Sequence, residues 1–208
     1  MFFSKKFLSF ILTIIFFVST IKISANAQVK KSKPYDLNAK AAVVIDARTK
    51  RILFDKNARE IMPMASTTKI LTSLVALKYG NIDKKFKISP LASSIRGSRV
   101  GYKQNEEISL RELLYGLMFK SGNDAAIAIA EGIAGSIEEF CKLMNEYARE
   151  IGIFDSHFES PHGLDSQNHY STAYDLAILT SKTKEIEFFN ELSKTKQYCD
   201  TNFSRSYQ

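Results

Sequence analysis

The segment from Ser66 to Lys78 (STTKILTSLVALK) restricts the fold more than any other part of this chain. Read at helical spacing, Ile70, Leu71, Leu74, Val75 and Leu77 give a broad apolar surface, and Gly80-Asn81 ends the run. A helix apolar over so much of its circumference must be covered on several sides, so it belongs at the centre of a domain.

The remaining elements arrange themselves around it. Ala41 to Asp46 and Arg51 to Asp55 are β-rich runs joined by the polar Ala47-Arg48-Thr49-Lys50, which predicts a hairpin in a buried antiparallel sheet. Residues 85–109 read as short strands and loops. Helices are expected over Leu110–Phe119, Asp124–Ala134, Ile137–Ile151 and Thr172–Thr183, with a loop-rich stretch at 152–170 and a β-leaning end at Lys196–Tyr207. Strands first, helices in the middle and β again at the end predict an α+β domain with helices packed on an antiparallel sheet.

The domain is expected to start near Lys40. Before it, Lys5 and Lys6 precede an apolar run from Phe7 to Val18, and Ala25 and Ala27 follow in A-x-A spacing, so residues 1–27 read as a cleaved secretory signal peptide. The run is shorter than the roughly 20 apolar residues that span a bilayer. Residues 28–39 read as a polar, flexible leader and 40–208 as the folded domain. Removing residues 1–27 takes away Lys5, Lys6 and Lys22 and no acid, lowering the formal charge from +7 to +4. The remaining charge is scattered and not interleaved with stacking aromatics, which argues against a nucleic-acid partner. Cys141 and Cys199 are far apart and in no metal or redox spacing, and read as unpaired thiols more readily than as a disulfide.

Four residues carry candidate chemistry. Ser66 and Lys69 sit three apart at the start of the apolar helix, on one face. A serine needs a base to become a nucleophile, and a lysine serves once burial lowers its pKa. Ser-x-x-Lys recurs at Ser19, Ser181 and Ser193, but only Ser66 follows a proline and a small residue and opens an apolar helix. The competing structural role for Ser66 is a helix cap, with Lys69 an exposed charge. Ser121-Gly122-Asn123 lies between two apolar helices, where a hydroxyl and an amide can both face a cleft; its competing role is a turn in which either residue caps the helix near Asp124. His157, His162 and His169 gather in the 152–170 stretch, but without a His-Glu-x-x-His helix they predict no metal site.

Ser-x-x-Lys followed by Ser-x-Asn resembles the first two elements of the signature of penicillin-binding proteins and class A β-lactamases, whose third is Lys-Thr-Gly. The wider wording, PMASTTKI at Pro63–Ile70, KSGNDAA at Lys120–Ala126, PHGLD at Pro161–Asp165 and YSTAYDL at Tyr170–Leu176, is similar to the D-alanyl-D-alanine carboxypeptidases, the low-molecular-weight penicillin-binding proteins of DD-peptidase type. Gly122, where the typical β-lactamase has aspartate, favours the carboxypeptidase. The resemblance implies a β-lactamase/DD-peptidase-like fold and no cofactor. It also implies Ser66 as the acylated nucleophile, Lys69 as its proton acceptor, Ser121 as a proton relay and Asn123 as a substrate-binding amide. The implied partners are a peptidoglycan stem peptide ending in D-Ala-D-Ala and β-lactams that acylate the same serine, and the implied location is outside the cytoplasm.

No Lys-Thr-Gly occurs in the 208 residues; Lys182-Thr183-Lys184 and Lys194-Thr195-Lys196 lack the glycine. In the resembled family that element lies on an edge strand that anchors the substrate carboxylate. Its absence leads to the expectation of a domain truncated before its C-terminal strands and without a C-terminal membrane anchor. Such a chain would be a poor enzyme, and the alternative is a non-catalytic fragment that binds peptidoglycan or β-lactams weakly.

Overall fold

The structure, a computed structural model, describes residues 37–199 and 205–207. The predicted signal peptide, most of the leader and residues 200–204 of the β-leaning end lie outside the described residues.

The predicted hairpin forms from β1 (Ala42–Ile45) and β2 (Ile52–Lys56), antiparallel with a register shift after Val44. Its turn is fixed locally: the Asp46 carboxylate accepts the Thr49 N–H and hydroxyl, each at 2.7 Å, and those bonds hold its pKa below the usual carboxylate value. The expectation of a buried sheet is corrected here. Val44 and Leu53 are 52% and 56% exposed, because β1 packs on one helix and leaves its other face open.

The apolar segment becomes a 3₁₀ turn (Ala65–Thr67) running into α1 (Thr68–Tyr79). Thr68, Lys69 and every residue from Leu71 to Ala76 are buried. Such burial inside a helix bundle leaves Thr72 and Ser73 needing partners, and they find them at Pro161 O (2.7 Å) and Lys69 O (2.8 Å). Short β3 (Lys85–Lys87), α2 (Pro90–Ser94) and β4 (Glu107–Ser109) follow, β3 and β4 pairing antiparallel. Then come α3 (Leu110–Phe119), α4 (Asn123–Ala134), α5 (Ile137–Glu150), α6 (Ala173–Thr183) and α7 (Glu187–Lys194). Ser109, Ser136 and Thr172 cap α3, α5 and α6 by accepting the N–H three residues on. Helix α1 packs against α3, α4, α5 and α6, so it is the central helix its composition requires.

The chain's last described strands, β5 (Tyr198–Cys199) and β6 (Ser206–Tyr207), pair with each other. Tyr207 is 1% exposed, and its hydroxyl donates to Glu112 Oε1 at 2.8 Å, fastening this end to α3. Among the described residues the strands form three separate two-stranded antiparallel ladders around the helices. The α+β prediction therefore holds, with short α2 and α7 the helices it did not contain. Cys141 is buried, Cys199 is exposed, and both are free thiols. No helix among the described residues is long and apolar enough to cross a membrane.

Candidate active site

Ser66 is the middle residue of the 3₁₀ turn and is exposed, while Lys69, one turn later on α1, is 2% exposed. Neither takes the structural role weighed against its chemistry: no side chain caps the 3₁₀ turn or α1, and Lys69 is no surface charge. The turn is reached through Ala65 at φ +46°, a left-handed conformation that costs a non-glycine residue about 1–2 kcal/mol. Two contacts hold it there, the Thr68 hydroxyl on the Ala65 carbonyl at 2.8 Å and the loop at Gly163 packed on that same oxygen.

The second pair arrives on the connection between α3 and α4. Ser121 is itself left-handed, at φ +52°, which places its side chain toward α1, and its hydroxyl donates to Ser66 Oγ at 2.9 Å. Gly122 is the N-cap of α4 and no side chain caps the helix, so Ser121 and Asn123 are not capping groups. Asn123, 4% exposed, accepts Lys69 Nζ on Oδ1 at 3.0 Å and donates from Nδ2 to the Arg96 carbonyl at 2.9 Å. All four residues singled out in the sequence therefore meet at one point.

Lys69 organises that point. Its Nζ lies 3.1 Å from Ser66 Oγ, 3.0 Å from Asn123 Oδ1 and 2.7 Å from the His162 carbonyl. Two of these partners can only accept, whereas the Ser66 hydroxyl can also donate. A neutral amine, with two hydrogens and one lone pair, satisfies the set completely and leaves its lone pair facing the serine. Burial favours that form and lowers the Lys69 pKa to about 8. In that neutral form Ser66 donates to Lys69 while Ser121 donates to Ser66, so the three side chains make a directed chain of protons.

The surrounding groups were less legible. The His162 carbonyl comes from the PHGLD stretch within the loop-rich segment 152–170, and nothing in a one-letter code marks a main-chain oxygen as a ligand of Lys69. The His162 ring accepts the Leu164 N–H on Nδ1 at 3.1 Å, and burial, then the charge on Lys69, push its pKa down to about 4. The segment holding Asn123 is fixed by Asp124, which is fully buried and accepts the N–H groups of Val100, Gly101, Tyr102 and Ala125 at 2.8–3.3 Å. Its place within KSGNDAA was the available signal. His157 Nδ1 lies against the Asn168 carbonyl of the same loop at 2.7 Å, and His169 bonds the Glu159 N–H in that loop and Thr68 on α1.

A family profile described as D-alanyl-D-alanine carboxypeptidase matches residues 27–207. The chain is 38% identical over 184 residues to D-alanyl-D-alanine carboxypeptidase DacF of Bacillus subtilis, covering 86% of this chain and 47% of that one. It is 36% identical over 155 residues to DacC of Escherichia coli, covering 69% of this chain and 38% of the relative. The chain thus spans about half the length of the curated relatives it matches, or less. Among solved structures, that of D-alanyl-D-alanine carboxypeptidase DacD from Francisella tularensis superposes with a TM-score of 0.70 at 36% identity, covering 82% of this chain and 43% of that one.

Proposed function

For a chain that belongs to the D-alanyl-D-alanine carboxypeptidase family, we propose a serine-type D-Ala-D-Ala carboxypeptidase whose nucleophile is Ser66. The observation that carries this is the set of partners around Lys69 Nζ: two obligate acceptors and the Ser66 hydroxyl. With a pKa of about 8, roughly a tenth of Lys69 is neutral at pH 7, about 300-fold more than for an unperturbed lysine.

Ser66 Oγ attacks the carbonyl carbon of the peptide bond joining the two D-alanines while its proton passes to Lys69. The C–N bond of the tetrahedral intermediate then breaks. The leaving amine takes the proton that Lys69 received, relayed by the Ser121 hydroxyl, and D-alanine departs from an ester on Ser66. Water, deprotonated by Lys69, cleaves the ester and restores the serine. Asn123 holds Lys69 in register and offers its amide to the substrate. The substrate is a peptidoglycan stem peptide ending in D-Ala-D-Ala. A β-lactam, whose strained amide presents the same carbonyl, acylates the same oxygen. The signal peptide predicted at residues 1–27 supports a reaction outside the cytoplasm, where that polymer lies.

Incubating the full chain with a short peptide ending in D-Ala-D-Ala and quantifying free D-alanine tests the reading. Release is expected from the unmodified chain and not from Ser66→Ala. Equal release from both would overturn it.

A further inference from the structure

We infer that His169 is a positioning residue for the nucleophile, acting through the Thr68 hydroxyl on the left-handed Ala65 turn that presents Ser66. This rests on the reading of Ser66 as the acylated residue. His169 is 3% exposed and makes no contact with Ser66, Lys69, Ser121 or Asn123 that the proton chain uses.

The tautomer follows from its neighbours. Nδ1 accepts the Glu159 N–H at 3.0 Å, so the ring hydrogen sits on Nε2, 2.8 Å from Thr68 Oγ1. With Nε2–H donating to it, the Thr68 hydroxyl places its own hydrogen on the Ala65 carbonyl, 2.8 Å away. The direction of the whole chain is thereby fixed: Glu159 N–H to His169, His169 to Thr68, Thr68 to Ala65. Its end point is the residue at φ +46° directly before the nucleophile. A left-handed alanine relaxes unless its carbonyl is held, and relaxation would swing Ser66 away from Lys69.

The first bond of that chain, from the Glu159 N–H to Nδ1, forms in the neutral ring only. An imidazolium would carry a hydrogen on Nδ1 and aim it at the Glu159 N–H. The surroundings oppose that state overall: burial and His157 disfavour the charge, while Glu159 and Asp165 favour it, and the pKa of His169 is lowered. His162 lies within electrostatic reach, the Phe158 ring meets His169 edge-on, and α1 contributes the uncharged Thr68, with Lys69 next in sequence. Ser66 is thus positioned at neutral pH and released once His169 titrates, below the ordinary histidine range.

The test measures acylation by a fluorescent penicillin across pH, thermal unfolding, and hydrogen exchange of the Ala65–Lys69 segment. It compares the full chain with His169→Phe, His169→Gln, Thr68→Val and Thr68→Ser. Losing the donor to Thr68, or the Thr68 hydroxyl, is expected to slow acylation about 10- to 100-fold and to speed exchange of the segment. His169→Gln, whose amide can still donate, and Thr68→Ser are expected to restore both. The unmodified chain should lose acylation more steeply than His169→Gln below the ordinary histidine pKa, since only the former has a second titrating group. If His169→Phe does not fold, the Thr68 pair decides alone. Unchanged exchange in the folded donor-loss variants, unchanged acylation in them, or Gln and Ser variants as impaired as Phe and Val would overturn the inference. Faster exchange in the Phe and Val variants alone, with no adduct on the unmodified chain, would leave the positioning device standing and remove the Ser66 reading instead.

Discussion

Gly163 lies against Ala65 so closely that a Cβ placed on it would come within 1.9 Å of the Ala65 carbonyl oxygen, and its own φ is +83°. The loop after Pro161 is thereby pressed onto the turn that carries Ser66, and the same loop supplies the His162 carbonyl to Lys69.

Gly163→Ala is therefore expected to be damaging for two independent reasons. The left-handed backbone alone costs about 1–2 kcal/mol, and a contact of that length with main-chain oxygen cannot be relieved without moving the loop. The expected outcome is a lower unfolding midpoint together with acylation reduced by at least about 10-fold, measured by thermal unfolding and penicillin labelling.

Lys69 sets the pH dependence of acylation. Its folded pKa, lowered from 10.5 to about 8, means the site prefers the neutral amine. The rate should therefore rise about tenfold per pH unit up to about pH 8 and level off above it. The sign for stability is the same: folding loses stability as pH falls from 10.5 to about 8 and no more below that. Lys69→Met should lower acylation by at least about 100-fold. Labelling rates across pH 6–10 check both statements, and a flat profile would contradict them.

Asp124 is a structural carboxylate with a functional consequence. Its oxygens accept the N–H groups of Val100, Gly101 and Tyr102 from the segment whose Arg96 and Ser98 carbonyls hold Asn123. In Asp124→Asn an amide donor faces those donors, and hydrogen bonds to a buried charged group contribute about 1.5–3 kcal/mol each. A loss of about 3 kcal/mol in urea unfolding is expected, with acylation falling in the molecules that remain folded.

Gly132 on α4 separates two opposing effects. Alanine there gains about 1 kcal/mol of helix propensity, but its Cβ would meet the Phe86 ring at 2.4 Å. Overpacking a filled site costs about 1–3 kcal/mol, so Gly132→Ala should destabilise, with acylation unchanged in the folded fraction. Phe86→Leu in the same chain should recover part of the loss, which a double-mutant unfolding series measures.

What the sequence could and could not announce divides along physical lines. The five longer helices were legible because apolar spacing is a local signal, and α1 was legible as central because it is apolar around most of its surface. Short α2 and α7 were missed: α2 is a single turn, and the apolar residues of α7, Phe188, Phe189 and Leu192, are too few to stand out from a loop. The hairpin was legible as a hairpin but not as half-exposed, since β-rich residues look alike whether one face or both are covered. At the site, Ser66, Lys69, Ser121 and Asn123 stood out as side chains in a pattern. The His162, Arg96 and Ala65 carbonyls did not, because every residue has one and only the fold says which of them faces Lys69, Asn123 or Thr68.

The most direct measurement is intact-mass analysis of the full chain after incubation with penicillin, followed by peptide mapping of the adduct. The account predicts one added acyl group, on Ser66, absent from Ser66→Ala and strongly diminished in Lys69→Met. A folded chain that forms no adduct, or one whose adduct maps elsewhere or persists in Ser66→Ala, would contradict it.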